Sequence, residues 1–152
     1  LDPGFDLQGA SYNINQSQIA IGAGGLRGQG WLQGTQTNLN LVPEQETDFI
    51  FTALGEEFGF VGVSLLLLLY AYMLARIWFI ARASNDLFAA FACVGALSML
   101  TFQIFQNIGM TMGIMPITGI PLPFLSHGGS STVVAFGLIG LVINVSARRH
   151  LT

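Results

Sequence analysis

LFAAFACVGALSMLTFQIFQNIGMTMGIMPITGIPLPFLSHGGSSTVVAFGLIGLVINVSA, residues 87–147, contains no Asp, Glu, Lys or Arg, and His127 is its only titratable ring. A soluble core of that length would still need a solvated face. Two membrane-spanning helices joined by a loop need none, because in hydrocarbon each helix satisfies its own backbone. A span takes about 20 mostly apolar residues. Three stretches qualify: Phe58 to about Ala81, Leu87 to about Met110, and Ser130 to about Ala147. The first has the run Leu65 to Leu69 at its centre, and the third is the shortest and contains Asn144. The whole chain is 52% hydrophobic and 9% charged, far below the roughly 25% charged residues of soluble domains. The expected fold is an all-α polytopic membrane protein, with three transmembrane helices preceded by a large extracytoplasmic loop.

The charges orient these spans. Arg76, Arg82, Arg148 and Arg149 flank the end of the first span or follow the last, and the positive-inside rule makes those ends cytoplasmic. The segment before the first span carries Asp2, Asp6, Glu44, Glu46 and Asp48 against a lone Arg27, so it belongs outside. The expected order is an extracytoplasmic loop with an interfacial helix (1–47), spans at 48–81, 87–110 and 130–147, a Pro-rich extracytoplasmic loop (111–129) and a cytoplasmic tail (148–152). The acidic first segment must cross the membrane with no signal peptide or earlier span before it. The sequence therefore reads as the C-terminal part of a larger polytopic protein. Its single cysteine, Cys93, excludes an intrachain disulfide and a thiolate metal cluster. No basic patch suited to nucleic acid is present.

Residues 1–47 are rich in Gly, Gln and Asn. Ile14, Ile19, Ala20 and Ala23 form a weak amphipathic pattern, suited to a helix on the outer membrane surface. Residues 22–34 read as loop, with six glycines and Trp31. Neither phosphate-loop glycine motif is present and no strand precedes the segment. The glycines are better explained by close backbone approach to membrane or neighbouring helices. The loop from Met115 to Ser130 is apolar and uncharged, and Pro121 and Pro123 forbid a regular helix. Such backbone survives at membrane depth only when packed in protein or lining a cavity, so this loop is expected to dip into a helical assembly.

Several polar residues could carry chemistry. Asp48 stands just before the first span, where a carboxylate is stabilised by the helix dipole and free N–H groups. The same place suits a partly desolvated general base. Glu56 and Glu57 follow two turns later; they could reach for headgroups, or one could share a pocket with Asp48. Gln103, Gln106 and Asn107 make a polar stripe that either bonds neighbouring helices or lines a cavity. Ser126, Ser130 and His127 offer hydroxyls and a ring nitrogen, without a hydrolase signature.

The longer strings are more specific. QSQIAIGAGGLRGQGWLQGTQ (16–36), Pro43-Glu44, TDFIF (47–51), GEEFG (55–59), NIGM (107–110), PITGIPLPFLS (116–126) and GGS (128–130) occur in one order along nearly the whole chain. This series resembles the SEDS family (shape, elongation, division, sporulation). The segments Gly30-Trp31-Leu32 and Gly34-Thr35-Gln36 look most like its elongation branch, RodA. The resemblance implies a peptidoglycan glycosyltransferase of about ten spans in the bacterial inner membrane, of which this chain would be the last three. Such enzymes polymerise lipid II, the undecaprenyl-pyrophosphate-linked disaccharide-pentapeptide, beside a class B penicillin-binding protein. The family's essential aspartate falls on Asp48 and its loop serine on Ser126. Glu57, Gln106, Asn107 and Ser130 are the accompanying candidates for substrate contact. Many relatives carry Tyr where His127 stands.

The implied chemistry needs a base for the acceptor hydroxyl and positive charge for the departing lipid pyrophosphate. Arg27 is the only outward basic residue, so upstream basic residues or a divalent cation such as Mg or Mn must supply most of that charge. Alone, the chain is expected to be inactive. Polar stripes and a cavity-lining loop would equally suit a lipid II flippase, and a non-catalytic scaffold of the wall machinery is the third alternative.

Overall fold

The computed structural model describes residues 10–30 and 49–148. Asp48, the motif from Trp31 to Gln36 and the tail beyond Arg148 lie outside the described residues. Four helices follow in order: α1 (Ala10–Gly24), α2 (Ile50–Arg82), α3 (Leu87–Thr111) and α4 (Gly129–Arg148). No strand occurs among the described residues. The helices α2, α3 and α4, of 33, 25 and 20 residues, are each long and apolar enough to cross a membrane.

At about 1.5 Å per residue α2 is some 50 Å long, well beyond a hydrocarbon core of about 30 Å. It is not one rod. Gly59 takes φ 62 and ψ −161, a conformation essentially confined to glycine, and divides α2 into a short segment, 50–58, and a longer one, 60–82. The longer piece, about 35 Å by the same rise, matches a membrane. The break therefore separates a span from a platform at its end.

A tight turn links α2 to α3. Asp86 begins α3 by accepting a 3.0 Å bond from the Phe88 N–H, which satisfies one of the first-turn donors. Near this turn Ile77, Ala81, Cys93, Ala96, Leu100 and Val142 form one buried cluster joining α2, α3 and α4. Alanine and cysteine on facing positions let these helices approach closely. A second cluster, Phe51, Tyr70, Ile104 and Leu122, lies toward the other end. The outward faces are as apolar as the core, with Leu68, Phe91 and Val133 all exposed.

Helix α1 crosses the end of this bundle against α2 and α3. Its buried face is Ser17, Ala20 and Gly24, whereas the stripe anticipated from sequence was Ile14, Ile19, Ala20 and Ala23. Only Ala20 belongs to both; Ile19 is 55% exposed. The reason is steric. Backbone approaches backbone on this side, so small residues are buried, Ile19 turns away and Ile21 packs at the edge against the second cluster.

Candidate functional site: a broken helix and a proline-rich loop

The stretch after α1, residues 25–30, docks on the break in α2. In an unbroken helix the Glu56 and Glu57 carbonyls would accept from the N–H groups of Phe60 and Val61. Here Glu56 accepts from the Gln29 N–H at 3.0 Å and Glu57 from the Gly30 N–H at 3.1 Å. Phe60 N–H donates to the Gly25 carbonyl at 2.9 Å, and Val61 N–H to the Leu26 carbonyl at 3.2 Å. Four groups freed by the break are thus satisfied by one strap of chain. Buried backbone in a membrane protein requires such pairing.

Glycine makes this contact sterically feasible. A Cβ on Gly28 would lie 2.0 Å from the Glu57 carbonyl oxygen, and one on Gly59 would lie 2.3 Å from the Gly28 nitrogen. One turn earlier, a Cβ on Gly24 would meet the Gly55 oxygen at 2.0 Å. The glycine-rich stretch is therefore a backbone docking surface. Further along, the Ser17 hydroxyl donates to the Thr111 carbonyl at 2.7 Å. Its single proton is then committed, so Thr52 donates to Ser17 across their 2.9 Å contact. Gln18 Nε2 adds a 2.8 Å bond to the Met112 carbonyl. Together α1 and the strap hold the 50–58 platform against the end of α3.

The loop between α3 and α4 is held differently, by side chains that reach its carbonyls. Gln106 Nε2 donates to Pro116 at 3.1 Å, Asn107 Nδ2 to Ile120 at 2.8 Å, and the Tyr70 hydroxyl to Pro123 at 2.6 Å. Tyr70 is eleven residues beyond Gly59, about 16 Å along the helix at the usual rise. The loop therefore reaches about halfway along the 60–82 segment of α2. Its tip closes on itself: Ser126 Oγ accepts from the Leu122 N–H at 2.7 Å, and the Ser126 N–H donates to the Leu122 carbonyl at 3.1 Å. Leu122 is only 1% exposed. Phe124 adopts φ 68, unusual for a non-glycine residue, and its ring meets Phe136 edge-on at 5.4 Å.

Comparison with known proteins places this geometry. Residues 1–151 match the family model of the FtsW, RodA and SpoVE cell cycle proteins. The chain belongs to that family. It is 47% identical to the peptidoglycan glycosyltransferase MrdB of Escherichia coli K12, over 99% of this chain and 41% of that protein. In a solved structure of a peptidoglycan synthase complex, described as coordinating polymerization and crosslinking, one chain is 34% identical. It matches with a TM-score of 0.72, over 91% of this chain and 38% of that one. A mutant of the rod shape determining protein RodA from Thermus thermophilus matches with a TM-score of 0.67 at 37% identity, over 87% and 40% of the two chains. The chain spans about two fifths of the length of these relatives. Its three apolar helices make it part of a multi-pass membrane protein of the FtsW/RodA/SpoVE family.

Against that family setting, the candidate residues fall into four places. Asp48, outside the described residues, is bonded to Phe49, which is 3% exposed and precedes α2. Glu57 lies on the platform beside the strap, half-buried, next to the fully buried Glu56. Gln106, Asn107 and Ser126 are buried, and each bonds the backbone of the Pro-rich loop. Ser130 is exposed in the first turn of α4. Among the described residues no three His, Cys, Asp or Glu side chains gather as metal ligands. Sequence reasoning passed over Tyr70, Ser17, Thr52 and the break itself. A glycine within an apolar helical run was the available signal for the break.

Proposed function

We propose that this chain is the base-bearing part of a peptidoglycan glycosyltransferase that polymerises lipid II during cell elongation. The observation that carries the reading is the 47% identity to a peptidoglycan glycosyltransferase across 99% of this chain. The elongation role is supported by the segment from Gly30 to Gln36 and by likeness to a rod shape determining protein. Asp48 acts as general base. Its carboxylate takes the proton of the acceptor sugar hydroxyl as that oxygen attacks the anomeric carbon of the lipid-linked donor, and the undecaprenyl pyrophosphate departs. A base poised at a membrane boundary suits two lipid-anchored reactants, because both are confined to that plane and need only be aligned.

The arginine-bearing ends of α2 and α4 face the cytoplasm in this reading. The strap and the Pro-rich loop then lie on the outer side of the bacterial inner membrane, and the C-terminus is cytoplasmic. A class B penicillin-binding protein is the proposed partner, supported by likeness to a chain of a complex that couples polymerization to crosslinking. Charge on the pyrophosphate is balanced by basic residues outside this chain or by a divalent cation.

Replacing Asp48 with Asn in the full-length protein tests the assignment. The isostere keeps the shape but is a far poorer proton acceptor, so polymerisation of lipid II in liposomes should fall by about 10²–10⁴-fold, with abundance and partner binding unchanged. Glycan synthesis by Asp48→Asn at a near-native rate refutes the base and favours the flippase or scaffold alternatives.

A further inference from the structure

We propose that the strap at residues 25–30, with α1, is a positioning brace. It fixes Phe49, the residue to which Asp48 is bonded, by holding the platform 50–58 both to its own span and to the end of α3. This rests on the reading of Asp48 as the base.

The argument begins at Gly59. A helix that continued through residue 59 would keep its own bonds from Phe60 to Glu56 and from Val61 to Glu57. The chain instead breaks there, at φ 62 and ψ −161, and the strap supplies partners on both sides of the break. A cap on a frayed end would need to satisfy one side only. Satisfying both fixes the two pieces of α2 relative to a third body, and that body is α1.

Helix α1 is in turn referenced to α3. Ser17 reaches the Thr111 carbonyl and Gln18 the Met112 carbonyl, while Thr52 and Gly55 meet α1 at Ser17 and Gly24. Thr111 and Met112 are also where the Pro-rich loop departs. The platform that begins after Phe49 is therefore tied to the mouth of that loop through the strap's backbone bonds and the side chains of Ser17, Gln18 and Thr52. Two consecutive peptides of the platform, at Glu56 and Glu57, bond to the strap, so displacing it frees the platform to swing about Gly59. Misplacing a catalytic group by about 1 Å can cost on the order of 10²-fold in rate.

The test uses the full-length protein in liposomes with lipid II. Gly28→Ala drives a Cβ into the Glu57 carbonyl and should displace the strap. Its kcat should fall about 10- to 100-fold, and by a larger factor than any rise in KM for lipid II, because Gln106, Asn107 and Ser126 keep their bonds to the Pro-rich loop. Thr52→Val removes only the link to Ser17, keeps the volume and should lower kcat by a smaller factor. It provides the readout if Gly28→Ala does not fold. Each change is then combined with Asp48→Glu, which keeps a carboxylate but displaces it. If the brace acts through Asp48, the paired losses are less than the product of the single ones. Fully multiplicative losses, native kcat in both brace variants, or native kcat in Asp48→Glu would each overturn the proposal. Activity surviving in Asp48→Asn is a separate outcome, one that removes the base rather than the brace.

Discussion

The strap and the Pro-rich loop both bring irregular backbone against a span, and they satisfy it by opposite means. At the strap, backbone meets backbone, and the requirement is the absence of side chains at Gly24, Gly28 and Gly59. At the Pro-rich loop, backbone meets side chain, and Tyr70, Gln106, Asn107 and Ser126 each supply one bond. The first arrangement is all-or-none, because one added methyl group displaces several bonds together. The second is graded, because each donor can be lost while the others remain.

The largest expected effect inverts the chemistry of the loop. Leu122→Asp places an unpaired charge at a position with 1% exposure, a change worth several kcal/mol. The protein should fail to accumulate in a folded form, as read by yield and monodispersity in detergent. Normal expression and activity would mean that the loop faces water. Next comes the strap. Gly59→Ala must adopt a conformation costing about 1–3 kcal/mol for a non-glycine residue or straighten α2 and expel the strap. Melting temperature should drop, and limited proteolysis should cut within residues 25–30. An uncut, native-like variant would show that α2 tolerates both geometries.

Smaller effects follow at the graded end. Tyr70→Phe leaves the Pro123 carbonyl without its donor and should cost about 1–3 kcal/mol, measured by thermal denaturation in detergent. Ser126→Ala removes the acceptor for the Leu122 N–H, while the Ser126 backbone bond to Leu122 persists. A comparable or smaller loss is expected, with polymerisation weakened but not abolished. If Tyr70→Phe and Ser126→Ala together unfolded the protein outright, the loop would be as cooperative as the strap and the contrast would disappear. The sidedness of both regions can be read without any loss of stability. Cysteine at His127 should react with impermeant reagent from outside and cysteine at Ser84 only from inside; the reverse would invert the proposed topology.

The three apolar helices were legible because span length and charge depletion are properties of a continuous stretch of chain. The break was not. Gly59 differs from a tolerated helical glycine only through its contact with Gly28, and nothing local to either residue announces the other. The stripe of Gln106 and Asn107 was visible at helical spacing, but its partners were not. They are carbonyls of Pro116 and Ile120, groups that every residue possesses and no side-chain pattern records. Tyr70 was hidden for a related reason: it closes the leucine-rich run of a span and reads as one more large apolar residue. Helix α1 misled by rewarding its bulkier residues in the apolar pattern, when the contact selected its smallest.

The four strap bonds also have an order of assembly built into them. Residues 25–30 leave the ribosome before Gly59, but Thr111 and Met112, which anchor α1, are synthesised well after it. While α2 forms, the strap is present but the α3 anchor of α1 is not, and a helix in lipid closes its own i to i−4 bonds. An unbroken α2 is then the favoured early form, and the kink becomes an exchange of two local bonds for four distant ones. Its anchoring waits for α3, whose end carries the Thr111 and Met112 carbonyls that Ser17 and Gln18 bond. The brace as a whole is thus complete only once α3 presents Thr111 and Met112 to Ser17 and Gln18.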